Sequence, residues 1–456
     1  MNRIKQAPHL KPLKQVEGNP IRLGSFDLNN TLIQNESISK NLIKKRIGFF
    51  TQLKKLPDPS IKEKTWRKSK IGKYDPKKLL LLPDKDLPKN KSIKVENYAS
   101  SQSDFAGSLH ITPEEISIKL DEKLVNLGVV FSDLRTVEKK YPHILEKIMG
   151  KIITSKLNKF SLLTLTKPQF GAILYLPKGI HIEKPIQTLF SWEGAGFLHT
   201  FYSLILLEEN SSVTVIQQFN GKSLNSSKNT LSRVTEIQLG RRAELNYTEV
   251  NAFDNSWWNL VDEYTIVKES GKINWTVFGD GGYYCKTFLG VNLAGKASRA
   301  KITGVLIPSG ESQIDFDTFQ RHSGLHTTSD LLFRNAMADE ACSNWSGMIR
   351  VEKDAMKADG YQSHQSLMLC GNPQMESNPG LEILTDDVKC SHGVTVGDIN
   401  EEQIFYLQTR GFSESQAREL IAAGFLESSL TRIEDELSKK LIRKKIQRDL
   451  SRLLCQ

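Results

Sequence analysis

Cysteine is scarce. The chain has five in 456 residues: Cys285, Cys342, Cys370, Cys390 and Cys455. An odd count in a long chain argues against a disulfide framework. No two have Cys-x-x-Cys spacing, which excludes a self-contained zinc ribbon and a four-cysteine ferredoxin site. Long apolar runs are missing too. No window reaches the roughly 18 uncharged apolar residues of a membrane span. The start of the chain, with Arg3, Lys5, Lys11 and Lys14, lacks the apolar run of a secretory signal. The expectation is a cytoplasmic protein without a membrane partner. GxxxxGK[ST], GxSxG and HExxH are absent, so P-loop ATP hydrolysis, a hydrolase nucleophile elbow and a zincin site are excluded. Gly279-Asp-Gly-Gly282 has no Lys-Ser/Thr after it and reads as a turn, not a phosphate cradle.

What is present describes a globular chain. Apolar residues are 39% and charged residues 25%. At about 100–200 residues per domain, the length allows two to four folding units. The net charge of +10 is uneven: residues 1–100 hold 23 Lys/Arg against 9 Asp/Glu. The excess is scattered through Pro-broken segments, with no RNA-binding aromatic motif or zinc finger beside it. It reads as a solvated extension, and no nucleic-acid partner is expected.

Three regions follow from texture. Residues 1–160 read as a basic arm followed by helix and loop. Ser39 to Lys55 has near-helical apolar spacing through Leu42, Ile43, Ile47, Phe50 and Leu53. A helix is expected to restart over 61–69, and 83–108 looks like a loop. Thr112-Pro-Glu-Glu115 has the form of a capping box opening another helix, and one more is expected over 141–157. Residues 161–397 show short period-two runs between Gly, Asn, Ser and Lys turns, which is strand texture. Val213, Ala243 and Ile273 follow similar turns and lie 30 apart. Such a period suggests stacked coils sharing one apolar column, as in a β-helix. Residues 398–456 read as helical again. Gly411 terminates the first helix. Ser413-Glu-Ser-Gln416 caps the second, expected to end at Gly424, and a final amphipathic helix is expected over 429–454.

Cys390 and His392 are two apart in a strand-like run, so both side chains face one way. A thiolate beside an imidazole suits iron or zinc. Two ligands are too few to hold a cluster, so a partner chain would supply the rest. Cys285, Cys342 and Cys370 read as buried packing thiols and Cys455 as incidental. His322 and His326 are spaced by four, but Gly324 between them favours a turn. His364 reads as a surface or turn histidine.

Longer motifs then stand out. Leu381 to Gly397, followed by Glu402-Gln-Ile-Phe-Tyr-Leu-Gln-Thr-Arg-Gly411, resembles the SufB/SufD family of iron–sulfur cluster assembly proteins. So do Trp345-Ser-Gly-Met-Ile-Arg-Val351, Gln362-Ser-His-Gln-Ser-Leu-Met-Leu369 and, near the start, Leu56-Pro-Asp-Pro-Ser60 with Lys64-Thr-Trp-Arg67. Lys389-Cys-Ser-His-Gly393 stands where SufB carries a Glu-His-Glu-type run. Leu407 stands where SufB has a cysteine after its Phe-Tyr pair. Both departures lean to the SufD branch.

The resemblance implies a mainly β protein, a right-handed parallel β-helix flanked by helical N- and C-terminal regions. It implies a non-enzymatic role in a complex with a SufB-like protein and a SufC-like ABC ATPase. Cys390 and His392 would share iron or a transient iron–sulfur cluster with SufB. Phe405, Tyr406, Arg410, Gly411 and Phe425 would serve partner binding in the C-terminal helices. Complexes of this family can carry a flavin, and no motif here marks a site for it. Two rival readings are a β-helix enzyme acting on polysaccharide and a structural paralogue that stabilises SufB without ligand duty. The first lacks an acidic cluster beyond Asp386-Asp387 and the alternating Asp315 and Asp317; the presence of Cys390 and His392 speaks against the second.

Overall fold

The period-two runs stack. The computed structural model describes residues 21–22, 38–75, 80–81, 87–96, 104–153, 157–194, 196–224, 228–279 and 281–454. Cys455 and most of the basic arm lie outside these. From Phe170 to Asp398 the chain alternates between two parallel sheets, so that every second strand is a neighbour. The result is a β-solenoid of about eight turns. Ser212 sits beside Glu244, Glu244 beside Lys272 and Lys272 beside Arg299, offsets of 32, 28 and 27 residues. The 30-residue period of the sequence is therefore a near-average; in register Val213 pairs with Leu245, not Ala243, and Leu245 with Ile273.

One corner repeats with a defined backbone. Asn210, Arg242, Ser270, Ala297, His326 and Lys357 have φ between 52° and 59°. Each lies two residues before a strand or register position that stacks on the next coil. Each donates its N–H to a carbonyl of the following corner: Asn210 to Arg241, Arg242 to Glu269, Ser270 to Lys296, Ala297 to Leu325, His326 to Met356 and Lys357 to Asp387. This hydrogen-bonded column repays the left-handed strain of non-glycine residues, about 1–2 kcal/mol each. Two glycines beside it are forced by crowding. A Cβ on Gly295 would stand 1.9 Å from Glu269 N, and one on Gly324 2.5 Å from Gly295 O.

Three apolar layers hold the molecule. The lumen is filled by inward side chains of both sheets, among them Phe190, Phe219, Tyr247, Trp275, Phe316 and Phe333. The Phe201–Phe219 and Phe316–Phe333 rings meet edge to face at 5.2 and 4.9 Å, worth about 0.5–1.5 kcal/mol per pair beyond burial. The outer face of one sheet (Tyr202, Leu204, Val234, Leu260, Tyr284) is covered by helices Lys40–Lys55, Leu134–Lys140, Pro142–Ile148 and Lys159–Thr166. Glu236 pins this layer. Its buried carboxylate accepts N–H groups of Gly150, Ile152 and Ile153 at 2.6–3.2 Å and the Tyr202 hydroxyl at 2.8 Å. The outer face of the other sheet (Val250, Phe278, Val305, Ala336, Leu369) is covered by helices Glu414–Leu430 and Glu436–Leu454.

Several local expectations are corrected. Thr112 does not open a helix. Its hydroxyl accepts the Glu115 N–H at 3.2 Å in a turn joining the antiparallel strands Gly107–Ile111 and Glu115–Asp121. Ile116, Ile118 and Leu120 alternate and are buried, so the period-two pattern overrides the capping signal. The 61–69 segment forms only the single 3-10 turn Lys64–Trp66, not a helix. Within the expected 83–108 loop, Lys89–Glu96 is a strand. The 141–157 helix stops at Ile148, two residues before Gly150 at φ 71°. The Ser413 capping box is present, but its helix runs through Gly424 to Leu430. The last helix starts at Glu436. Buried Leu430 and Ile433 belong to the preceding helix and the intervening turn.

Candidate functional site

The solenoid ends unfinished. Strand Gln374–Ile383 pairs only with Cys342–Val351, and strand Val388–Asp398 only with Ala358–Gly371. Each therefore has one edge without a strand partner among the described residues. An open edge is a template for another chain. The register is informative. Leu306, Asn335, Ser366 and Val396 stack at one lumen position. The first three are buried and Val396 is 55% exposed. Val394 and Val396 keep inward, apolar character with nothing stacked on them.

Cys390 and His392 lie on this last strand. They pair in register with Gly360 and Gln362, so both have inward parity. Cys390 is half-buried and packs beside Ile349, Val351, Ala355 and Ala358. His392 is exposed. Burial pushes the Cys390 thiol up, and the Gly360 N–H partly offsets this. Among the described residues no three His, Cys, Asp or Glu side chains stand together as a metal site. The pair thus offers two soft-to-intermediate donors at an open end, an arrangement that needs further ligands.

The expected partner residues divide. Phe405 is 68% and Tyr406 56% exposed on helix Glu401–Thr409, which follows directly from the open strand. Arg410 stacks on the Tyr406 ring at 5.2 Å and donates to its hydroxyl at 3.3 Å. Gly411 has φ 93° and ends the helix, a backbone role. Phe425 faces the other way: its carbonyl accepts from Arg334 at 2.8 Å, and that guanidinium lies 5.2 Å from its ring. Between this helix and Glu414–Leu430 runs an open groove of about 410 Å³, lined by Gln403, Tyr406, Leu407, Leu420 and Ile421.

Other sequence expectations meet mixed outcomes. Cys285 is buried and burial pushes it up to about 12, so it is an inert thiol. Cys342 is half-buried, but Cys370 is exposed rather than buried. A register shift between Met337 and Ala338 skips buried Leu369 and sets Cys370 opposite Ala338. His364 is not at the surface. It is buried in a strand, hydrogen-bonded to Asn335 at 2.8 Å and Ser377 at 2.6 Å. His322 is buried at the end of strand Gln313–His322, and His326 is a corner residue.

One inward polar set escaped the sequence reading, and so did the lumen placement of another. At mid-solenoid, Arg233 donates to Glu249 at 2.8 Å, Asn251 at 3.2 Å and Asn259 at 3.2 Å, with its guanidinium 4.0 Å from the Phe219 ring. Burial works against the Glu249 anion, yet Arg233 holds its carboxyl low. Burial and the neighbouring Glu249 push the Glu263 carboxyl well up. Near the open end, Gln320, His322 and Gln362 also face the lumen. Only their place in a stacked register reveals that, and no local motif carries it.

Comparison with known proteins agrees with this architecture. The SufBD core domain of the SUF system FeS cluster assembly family matches residues 192–425, and the SufBD protein N-terminal region matches residues 23–188. The iron–sulfur cluster assembly protein SufD of Bacillus subtilis is 27% identical over 341 residues, 74% of this chain and 77% of its own length. SufB of the same organism is 25% identical over 332 residues, 72% of this chain and 70% of its own. The SufBD family protein SAR0880 of Staphylococcus aureus is 24% identical over 330 residues, 72% and 70%. With the core model alone spanning more than half of the chain, this protein belongs to the SufBD family of iron–sulfur cluster assembly proteins.

Proposed function

We propose that the chain is a SufD-like, non-catalytic subunit of a cytoplasmic iron–sulfur cluster assembly complex, together with a SufB-like solenoid and a SufC-like ATPase. One observation carries the reading: Cys390 and His392 share one face of a strand whose other edge is unpaired among the described residues. A second solenoid adding strands there would bury Val394 and Val396 and bring its own ligands to the pair. Iron and sulfide are then cargo at the interface rather than resident cofactors. The exposed Phe405 and Tyr406 and their groove continue from the same strand, and they suit a SufC-like partner. Transmission of nucleotide-driven movement through helix Glu401–Thr409 to strand Val388–Asp398 needs no intervening element. Free thiols accord with a reducing compartment. No described helix is long and apolar enough to cross a membrane.

The test is co-expression of the tagged chain with its host's SufB and SufC homologues. Subunits are recorded, then iron and sulfide after anaerobic reconstitution. The expected result is a three-component complex that gains iron and sulfide, and a His392→Ala complex that assembles but gains neither. Full cluster yield from the His392→Ala complex, or a chain that binds no partner, overturns the reading.

A further inference from the structure

Behind Cys390, on the lumen side, lies an imidazole that the family resemblance did not single out. A Cβ built on Gly360 would stand 3.1 Å from Ile349 Cγ2, 3.3 Å from Cys390 Sγ and 3.3 Å from His322 Nε2. The sulfur and the imidazole nitrogen therefore flank the same bare α-carbon, one from the open strand and one from the opposite sheet. Hydrogen bonding sets which nitrogen faces the gap. Thr327 Oγ1 donates to the Gly324 carbonyl at 3.2 Å and so accepts the Nδ1–H of His322 at 2.8 Å. Ser329 Oγ accepts from Gln320 Nε2 at 2.7 Å and donates its own proton to His322 Nε2 at 2.8 Å. Nε2 thus carries the lone pair, and the second bond fixes the tautomer, as it does for metal-ligating histidines.

Two further groups in this layer have unused acceptors. Gln320 Oε1 and Gln362 Oε1 are buried without a partner. Gln320 is two residues before His322 on the same face, and Gln362 is the register partner of His392. A metal-bound water in this layer would supply donors to them.

We propose that His322 is a third ligand, which with Cys390 and His392 forms a set for a divalent cation of the iron class at the open end of the lumen. This rests on the proposed function and deepens its site. Entry of the metal displaces the Ser329 hydrogen bond from Nε2 and releases the Cys390 thiol proton. The side chains of Cys390 and His392 turn inward to close the set. A partner's ligand or water completes it.

The probe is cobalt(II), titrated anaerobically into the purified full-length chain, with the thiolate-to-cobalt charge-transfer band as readout. Wild type is expected to show the band, and Cys390→Ser to abolish it. His322→Gln is expected to weaken cobalt affinity at least tenfold. Gly360→Ala places a methyl group against Cys390 Sγ, His322 Nε2 and Ile349 Cγ2 at a residue without positive φ, and it is expected to weaken affinity as much. That variant keeps the proposal testable where His322→Gln fails to fold. Ser329→Ala, which frees Nε2, is expected to leave affinity equal or higher. Absence of the band in wild type overturns the proposal, as does an affinity unchanged in a folded His322→Gln or Gly360→Ala protein. Either failure leaves the proposed function standing if the three-component complex still gains iron and sulfide in a His392-dependent way.

Discussion

The middle coils and the last coil follow one pattern and meet opposite environments. From Ser212 to Leu306 the inward side chains are stacked above and below, and much of each outer face lies under a helical layer. At Val388–Asp398 the parity persists, but stacking stops on one side. The same lumen position is a buried leucine at 306 and an exposed valine at 396. A solenoid cannot bury its own terminal coil, so its end is either capped or used. Here the helices cap the side of the sheet and leave the edge free. Stability therefore resides in the body, and the proposed function assigns binding to the rim.

That contrast can be broken by substitution. At the largest expected effect, Leu306→Lys puts an unpaired charge into the closed lumen and should cost on the order of 4 kcal/mol or more, read by urea unfolding. Arg233→Met should cost roughly 3–5 kcal/mol, because it strands Glu249 without its cation. The double variant Arg233→Met/Glu249→Leu should recover most of that. If the single variant is as stable as wild type, the mid-lumen pair is not a closed structural unit.

Acid comes next. Burial holds His199 at about 3 and His364 at about 4, against 6.5 in the unfolded chain. The unfolded state takes up protons that the folded state refuses. Stability is thus complete above pH 6.5 and falls as pH drops from 6.5 toward 4, by up to about 1.4 kcal/mol per pH unit for each histidine. Unfolding midpoints measured between pH 7 and 4.5 check this, and His364→Gln should flatten the slope. Ala297→Gly in the body and Lys357→Gly near the rim each relieve left-handed strain against a glycine entropy cost. Each should shift stability by no more than about 1 kcal/mol. The smallest effect is at the rim. Val396→Lys should change the isolated chain by less than about 0.5 kcal/mol while abolishing capture of a SufB-like partner. A large loss of stability from Val396→Lys would erase the distinction between body and rim.

Much of this was legible in the sequence, and the reasons differ by element. Period-two runs announced the strands, and the capping box at Ser413 announced its helix. The near-30 spacing of Val213, Ala243 and Ile273 announced stacking, although true register varies by several residues per coil. The corners were illegible because Arg242, Ala297 and Lys357 are not left-handed formers; their conformation is imposed by the column above and below. Thr112 misled because a local cap and a turn between strands use the same hydroxyl bond. At the site, Cys390 and His392 could be found from i,i+2 parity. The approach of His322, 68 residues earlier, to Gly360 was not legible, since only the folded register brings the two together. Arg233 and Glu249 escaped for a related reason: polar residues in alternating strands read as outward, and here they face inward as a neutralised set.

Hydrogen exchange on the tagged chain, alone and in complex with its SufB and SufC homologues, tests the division between body and rim most directly. Alone, the unpaired amides of Val388–Asp398 and Gln374–Ile383 should exchange far faster than those of Arg299–Leu306. In the complex, both edge strands should become protected while Arg299–Leu306 stays unchanged. A complex that forms and leaves the exchange of both edge strands unaltered would contradict the account.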